Sequence, residues 1–173
     1  MSKKWLILLI AALAGIAAGW FVFSSIQAGV NDLKKGHDTA KQAVLNQGSL
    51  TSVTKVTTFN GPNTGSDGKP VSYYAVHGKD SKEKDAVALI HSNKLSEKPV
   101  MAVLSEGISM KEAEKIAKKE NSPKKMFRTK MGILQRDGKQ IPVWEVKYID
   151  SYDRYTYDYI DFKTGKMLHI AIK

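Results

Sequence analysis

The chain has 173 residues, 42% of them hydrophobic and 25% charged, the composition of a folded protein with room for one ordinary domain or two very small ones. Cysteine is absent, which excludes disulfides, thiolate catalysis, sulfur-ligated metal and lipid attachment at a lipobox. A formal net charge of +10 favours anionic surroundings such as lipid headgroups or wall polymers.

Trp5 to Ile26 carries no charged side chain, and a helix of that length spans a hydrocarbon core of roughly 30 Å. We read residues 5–27 as a transmembrane anchor and 1–4 as a cytoplasmic tip, because Lys3 and Lys4 precede the run and basic flanks stay on the cytoplasmic side. The rest is then extracytoplasmic, on a single-pass protein of the cell membrane, where nucleic acid is a poor candidate partner. A cleaved signal peptide competes, but its apolar core is ordinarily only about 7–15 residues long. Ala11, Gly15 and Gly19 form a small-residue stripe that admits a second helix.

Leu33, His37, Ala40 and Val44 recur at helical spacing, with Asn31 or Asp32 as a cap and Gly48 as a stop, so a helix is predicted over 31–47. His37 falls on the apolar stripe and reads as a core histidine. Strands are predicted at 49–59, 71–77, 86–91 and 100–104, the last an apolar run suited to burial. The turn-rich segment 60–70 is a long exposed connection, better read as a mobile tip than as a binding loop.

Ser109-Met110-Lys111-Glu112 is a capping box that starts a helix burying Ala113, Ile116 and Ala117 and ending near Asn121-Ser122-Pro123. Its lysines, Lys111, Lys115, Lys118 and Lys119, continue into Lys124, Lys125, Arg128 and Lys130. That band reads as an anion- or partner-binding surface or, equally, as a solvated helix face. Strands at 124–135 and 141–150 meet at Asp137-Gly138, with Trp144, Val146 and Tyr148 on one face, and a last pair covers 155–162 and 166–172.

The element order repeats. Tyr74-Ala75-Val76-His77 matches Trp144-Glu145-Val146-Lys147, and Ala86-Val87-Ala88-Leu89-Ile90 matches Tyr157-Asp158-Tyr159-Ile160-Asp161. Two small units, each a helix across an antiparallel sheet and tied together by 100–104, make an α+β fold.

Catalytic constellations are not found. Ser52-Val53-Thr54-Lys55, Ser81-Lys82-Glu83-Lys84 and Lys163-Thr164-Gly165 echo penicillin-recognising enzymes, but the Ser-Asp-Asn element is absent and the chain is too short for that fold. His37, His77, His91 and His169 are scattered, so no metal is expected. Asp158 and Asp161 could act as acid and base, although solvated carboxylates are the ordinary case at a strand end. No phosphate-binding glycine loop is present and no cofactor is expected.

Ile160-Asp161-Phe162-Lys163-Thr164-Gly165-Lys166-Met167-Leu168 resembles the closing hairpin of the PepSY domain, whose pattern is an apolar residue, Asp, two variable residues, Thr-Gly and an apolar strand. The helix from Met110 to Ala117 resembles that domain's opening helix. With the anchor and two units, the chain resembles the TseB-like (YpmB-type) family of cell-wall elongation regulators of low-GC Gram-positive bacteria.

The resemblance implies tandem cystatin-like, PepSY-like units over 28–105 and 106–173. It also implies a non-enzymatic, membrane-anchored role beside a class B penicillin-binding protein in peptidoglycan synthesis. Asp161, Thr164 and Gly165 are the turn motif and carry no catalysis. The alternatives are a protease inhibitor or chaperone-like module, since PepSY domains occur in protease propeptides, and a binder of anionic wall polymer through the basic band.

Overall fold

The computed structural model describes the backbone of residues 3–62 and 70–172, and side chains within these from Gly15 onward. In chain order the elements are α1 (Lys3–Asn46), β1 (Ser52–Phe59), β2 (Tyr73–Lys79), β3 (Asp85–His91), β4 (Val100–Val103), α2 (Met110–Asn121), β5 (Lys125–Arg136), β6 (Lys139–Ile149), β7 (Tyr155–Asp161) and β8 (Met167–Ile172). Most of the turn-rich segment predicted as a mobile tip, 63–69, lies outside the described residues.

The chain divides into two compact units, Met1–Asp38 and Thr39–Lys173. The first holds the greater part of α1, and the helix runs without interruption through the cap predicted at Asn31 or Asp32. Ile16, Trp20, Phe21, Val22, Phe23 and Ile26 are all exposed.

The transmembrane anchor requires correction. Among the described residues no helix is long and apolar enough to cross a membrane. Within the described side chains the apolar run of α1 ends at Ile26. Beyond it α1 carries Asp32, Lys34 and Lys35. The first part of the predicted span, with Ala11, lies outside the described side chains. The single-pass cell-membrane location, the cytoplasmic and extracytoplasmic assignment of the two ends, and a meeting with a penicillin-binding protein at the membrane lose their support with it.

The second unit is two antiparallel sheets, β1-β2-β3-β4 and β5-β6-β7-β8, each with one helix. Ala40 and Val44, in the last turns of α1, pack with Leu50, Val76, Ala86, Ala88 and Ile90 on one face of the first sheet. Gly48, at φ +64°, ends this helix as predicted, because a left-handed residue there costs glycine no Cβ clash. The other face of that sheet, with Phe59, Tyr73, Ala75, Val87 and Leu89, joins one core with Met131, Val143, Trp144, Val146, Ile160 and α2's Ala113 and Ala117. The segment expected to tie the units, Val100–Val103, is the edge strand of the first sheet, paired with β3.

The repeat is closer than the sequence comparison indicated, and its register differs in one strand. Lys147 lies opposite Tyr157 as His77 lies opposite Val87, so Val87, not Ala86, takes the place of Tyr157. A slip of one residue exchanges the faces of a strand. The β2–β3 and β6–β7 turns share one chemistry. Asp80 Oδ1 accepts the amides of Lys82 and Lys84 at 2.8 and 2.9 Å, and Asp150 Oδ1 those of Tyr152 and Arg154 at 2.8 and 3.0 Å. Glu83 and Asp153 occupy the same left-handed position, at φ 58° and 62°. The parallel between Asp80-Ser81 and Asp150-Ser151 was readable and would have corrected the slip.

Asp158 is a further correction. It is fully buried rather than solvated, accepting hydrogen bonds from the Tyr148 hydroxyl and from Asn121 Nδ2, each at 2.9 Å. Burial raises its carboxyl above the ordinary range, against the pull of those two donors. A carboxyl raised on folding gives stability that is complete below its unfolded pKa and is lost as pH rises through the folded value. Asp158→Asn should therefore gain on the wild type between about pH 4 and neutrality, by about 1.4 kcal/mol for each unit of elevation. Urea unfolding at several pH values checks this, and a flat or declining difference would refute it.

Candidate interaction surface

The second sheet presents two unlike faces. Thr129, Trp144, Val146, Tyr148, Asp158 and Ile160 share the one covered by α2. The capping box forms as expected, Ser109 Oγ accepting from the Glu112 amide at 3.2 Å and Glu112 Oε2 from the Ser109 amide at 2.7 Å. It sets α2 so that Trp144 Nε1 donates to the Ile108 carbonyl at 2.9 Å and Thr129 Oγ1 to Glu114 at 2.8 Å.

The Asp161–Gly165 turn closes against that helix. Asp161 Oδ1 accepts from the Thr164 amide and hydroxyl at 2.7 and 2.9 Å, and Gly165 adopts φ +71°. A Cβ on Gly165 would stand 3.2 Å from Ile116, so glycine serves both the dihedral and the close approach.

The opposite face carries Lys125, Arg128, Lys130, Glu145, Lys147, Tyr155, Tyr157 and Tyr159. Its centre is buried beneath the first sheet. There Tyr159 donates to Glu145 Oε2 at 3.0 Å, Lys130 Nζ lies 3.4 Å from Glu145 Oε1, and Phe59 of β1 meets Tyr159 edge-on. Burial lowers the pKa of the Lys130 ammonium, while Glu145 opposes the shift.

Toward the start of β5 the same face is open. Phe127 is an extra residue between the pairs Met126–Tyr148 and Arg128–Lys147, and this bulge brings Phe127 beside Tyr155, ring centroids 5.7 Å apart. Lys147 Nζ lies 4.7, 5.3 and 5.7 Å from the rings of Tyr155, Tyr157 and Phe127, and Lys125 Nζ lies 5.3 Å from Phe127.

The residues of the predicted basic band are not gathered on one surface. Lys111, Lys115, Lys118 and Lys119 are exposed on α2, with Glu112 and Glu120 among them. Lys125 and Arg128 belong to the sheet face turned away from that helix, and Lys124 is paired with Asp153 at 2.8 Å. Gly15 and Gly19, from the predicted helix-pairing stripe, have open space where a Cβ would stand. Among the described residues no group of His, Asp and Glu is placed to hold a metal.

Sequence reasoning missed Phe127, Lys147 and Tyr155 as a group. Alternation along β6 sets Lys147 opposite in face to Trp144, Val146 and Tyr148, and was a usable signal. The bulge that turns Phe127 was not.

Residues 107–169 match the family described as "Peptidase propeptide and YPEB domain", PepSY. The chain is 31% identical over 169 residues to the "Probable cell wall elongation regulator TseB" of Bacillus subtilis (strain 168), covering 97% of each chain. It is also similar to the solved structure of "YpmB protein from Bacillus subtilis", with a TM-score of 0.66 and 30% identity, covering 80% of this chain and 98% of that one.

Proposed function

The chain belongs to the TseB/YpmB family, and we propose that it is a protein-binding module in the regulation of cell-wall elongation. Its family is one of regulators and the chain is not an enzyme. The observation that carries the reading is the end-to-end likeness to a protein named as a wall elongation regulator. The halves 28–105 and 106–173 are proposed as its working units, supported by one four-stranded meander in each. The geometry of the second sheet adds to this: a buried, helix-covered face holds it rigid, and the other offers exposed side chains for recognition.

Deleting the gene and restoring it tests the proposal. Cells lacking the protein should incorporate less side-wall material and change in length-to-width ratio, and the full chain should restore both. Crosslinked cells should yield a wall-synthesis protein on purification of the full chain. Unchanged wall growth together with no such enrichment would overturn the reading.

A further inference from the structure

The exposed aromatic and cationic patch on β5, β6 and β7 is more specific than a charged surface. We propose that Phe127, Lys147, Tyr155 and Lys125 form the docking site for an acidic segment of a partner protein, one that sets an apolar side chain between carboxylates. The proposal rests on the protein-binding reading above and names the chemistry of the partner.

Three observations carry it. Phe127 and Tyr155 are 44% and 47% exposed, yet their rings, tilted by 36°, pack on each other, so an apolar platform is already assembled. Lys147 is ranged against three rings and Lys125 against one, and among the described residues neither pairs with a carboxylate. A carboxylate brought to this patch would therefore meet cations that the fold has positioned and left uncompensated. The first sheet keeps the bulge, at Thr54 between the pairs Val53–Gly78 and Lys55–His77, but places no aromatic ring there. The platform is thus a property of the second copy and not of the repeat.

These features separate the candidate partners. A polyphosphate-like polymer needs the cations and has no use for exposed Phe127, whereas an acidic peptide with an apolar residue uses both. Pairing of a partner strand along β5 is disfavoured, since a bulge interrupts the edge, and recognition falls to the side chains. The lysines of α2 are interspersed with Glu112 and Glu120 on a helix that carries no aromatic residue.

The test uses the full chain and three probes: a fluorescein-labelled peptide alternating glutamate with leucine, its glutamine-for-glutamate counterpart, and inorganic polyphosphate. Anisotropy should show the acidic peptide bound at least about tenfold more tightly than its neutral counterpart. Phe127→Ala and Lys147→Gln should each weaken it about tenfold, and Lys118→Gln on α2 should leave it unchanged. Lys125→Gln, at an exposed position, serves as a further variant should Phe127→Ala lower the melting temperature, and it too should weaken binding.

Binding that survives Phe127→Ala while polyphosphate displaces the peptide would overturn the proposal in favour of a polymer site. Equal loss with Lys118→Gln, or no binding, would overturn it outright. In cells, full restoration of wall growth by the Phe127→Ala, Lys147→Gln double variant would defeat this inference and leave the regulatory function standing.

Discussion

Glu145→Gln is expected to destabilise the protein by about 3 kcal/mol. The glutamate is 1% exposed, and its Oε1 receives no hydrogen bond. Its compensation is ionic, from Lys130 at 3.4 Å and Arg128 at 3.9 Å. Lys130 also reaches across to the first sheet, donating to the Thr58 carbonyl at 3.3 Å and lying 5.2 Å from the Phe59 ring centroid.

With glutamine at 145, Lys130 keeps its burial and loses its counter-charge, so it must either hold an unpaired charge or release a proton. Breaking a buried pair costs about 3–5 kcal/mol, and the remaining exposure of Lys130, 16% of its side chain, places this case at the lower end. The deficit should shrink as pH rises through the lowered lysine pKa, because there the unfolded chain binds more protons than the folded one. Replacing both partners, Glu145→Gln with Lys130→Met, should recover much of the loss. Urea unfolding measures each, and a single-variant deficit under about 1 kcal/mol would show that the packing of the two sheets does not depend on this pair.

Phe59→Ala should cost about 3–5 kcal/mol, the range for removing a buried aromatic ring. Its ring fills the space above Gly132, where any Cβ would overlap it, and meets Tyr159 edge-on with centroids 6.4 Å apart. Gly132→Ala alone should cost about 1–3 kcal/mol by overpacking. The combination of Gly132→Ala with Phe59→Leu should cost less than the sum, since the smaller side chain frees the volume that the new methyl needs. Strict additivity in a double-mutant cycle would mean that the ring and the glycine are not in contact.

Much of the second half of the chain was legible locally. The capping box at Ser109, the Asp137-Gly138 turn with φ 51° and 71°, and the alternation of Trp144, Val146 and Tyr148 are short-range patterns whose physics acts within a few residues. The Asp161-x-x-Thr164-Gly165 turn was read from the same range. In contrast, Asn31 offered a local cap that a continuous helix overrode, and Asp158 offered a polar strand position that packing under α2 buried.

The anchor shows the limit of reading a run by length alone. It was inferred from an unbroken apolar stretch, whereas among the described residues no helix is long and apolar enough to cross a membrane. The basic band is divided between a helix and a sheet face for a different reason. Proximity in sequence put Lys118 and Arg128 together, but the chain between them turns from a helix into the sheet beneath it, whose far face Arg128 shares.

Caps, turns and the alternation of strands follow from the residues themselves, because each is settled by neighbours a few positions away. The burial of Glu145 with Lys130, the seating of Phe59 over Gly132, and the grouping of Phe127 with Lys147 and Tyr155 arise only when strands distant in sequence are set side by side. Tertiary structure decided these, since a face is buried or open according to which other surface packs on it.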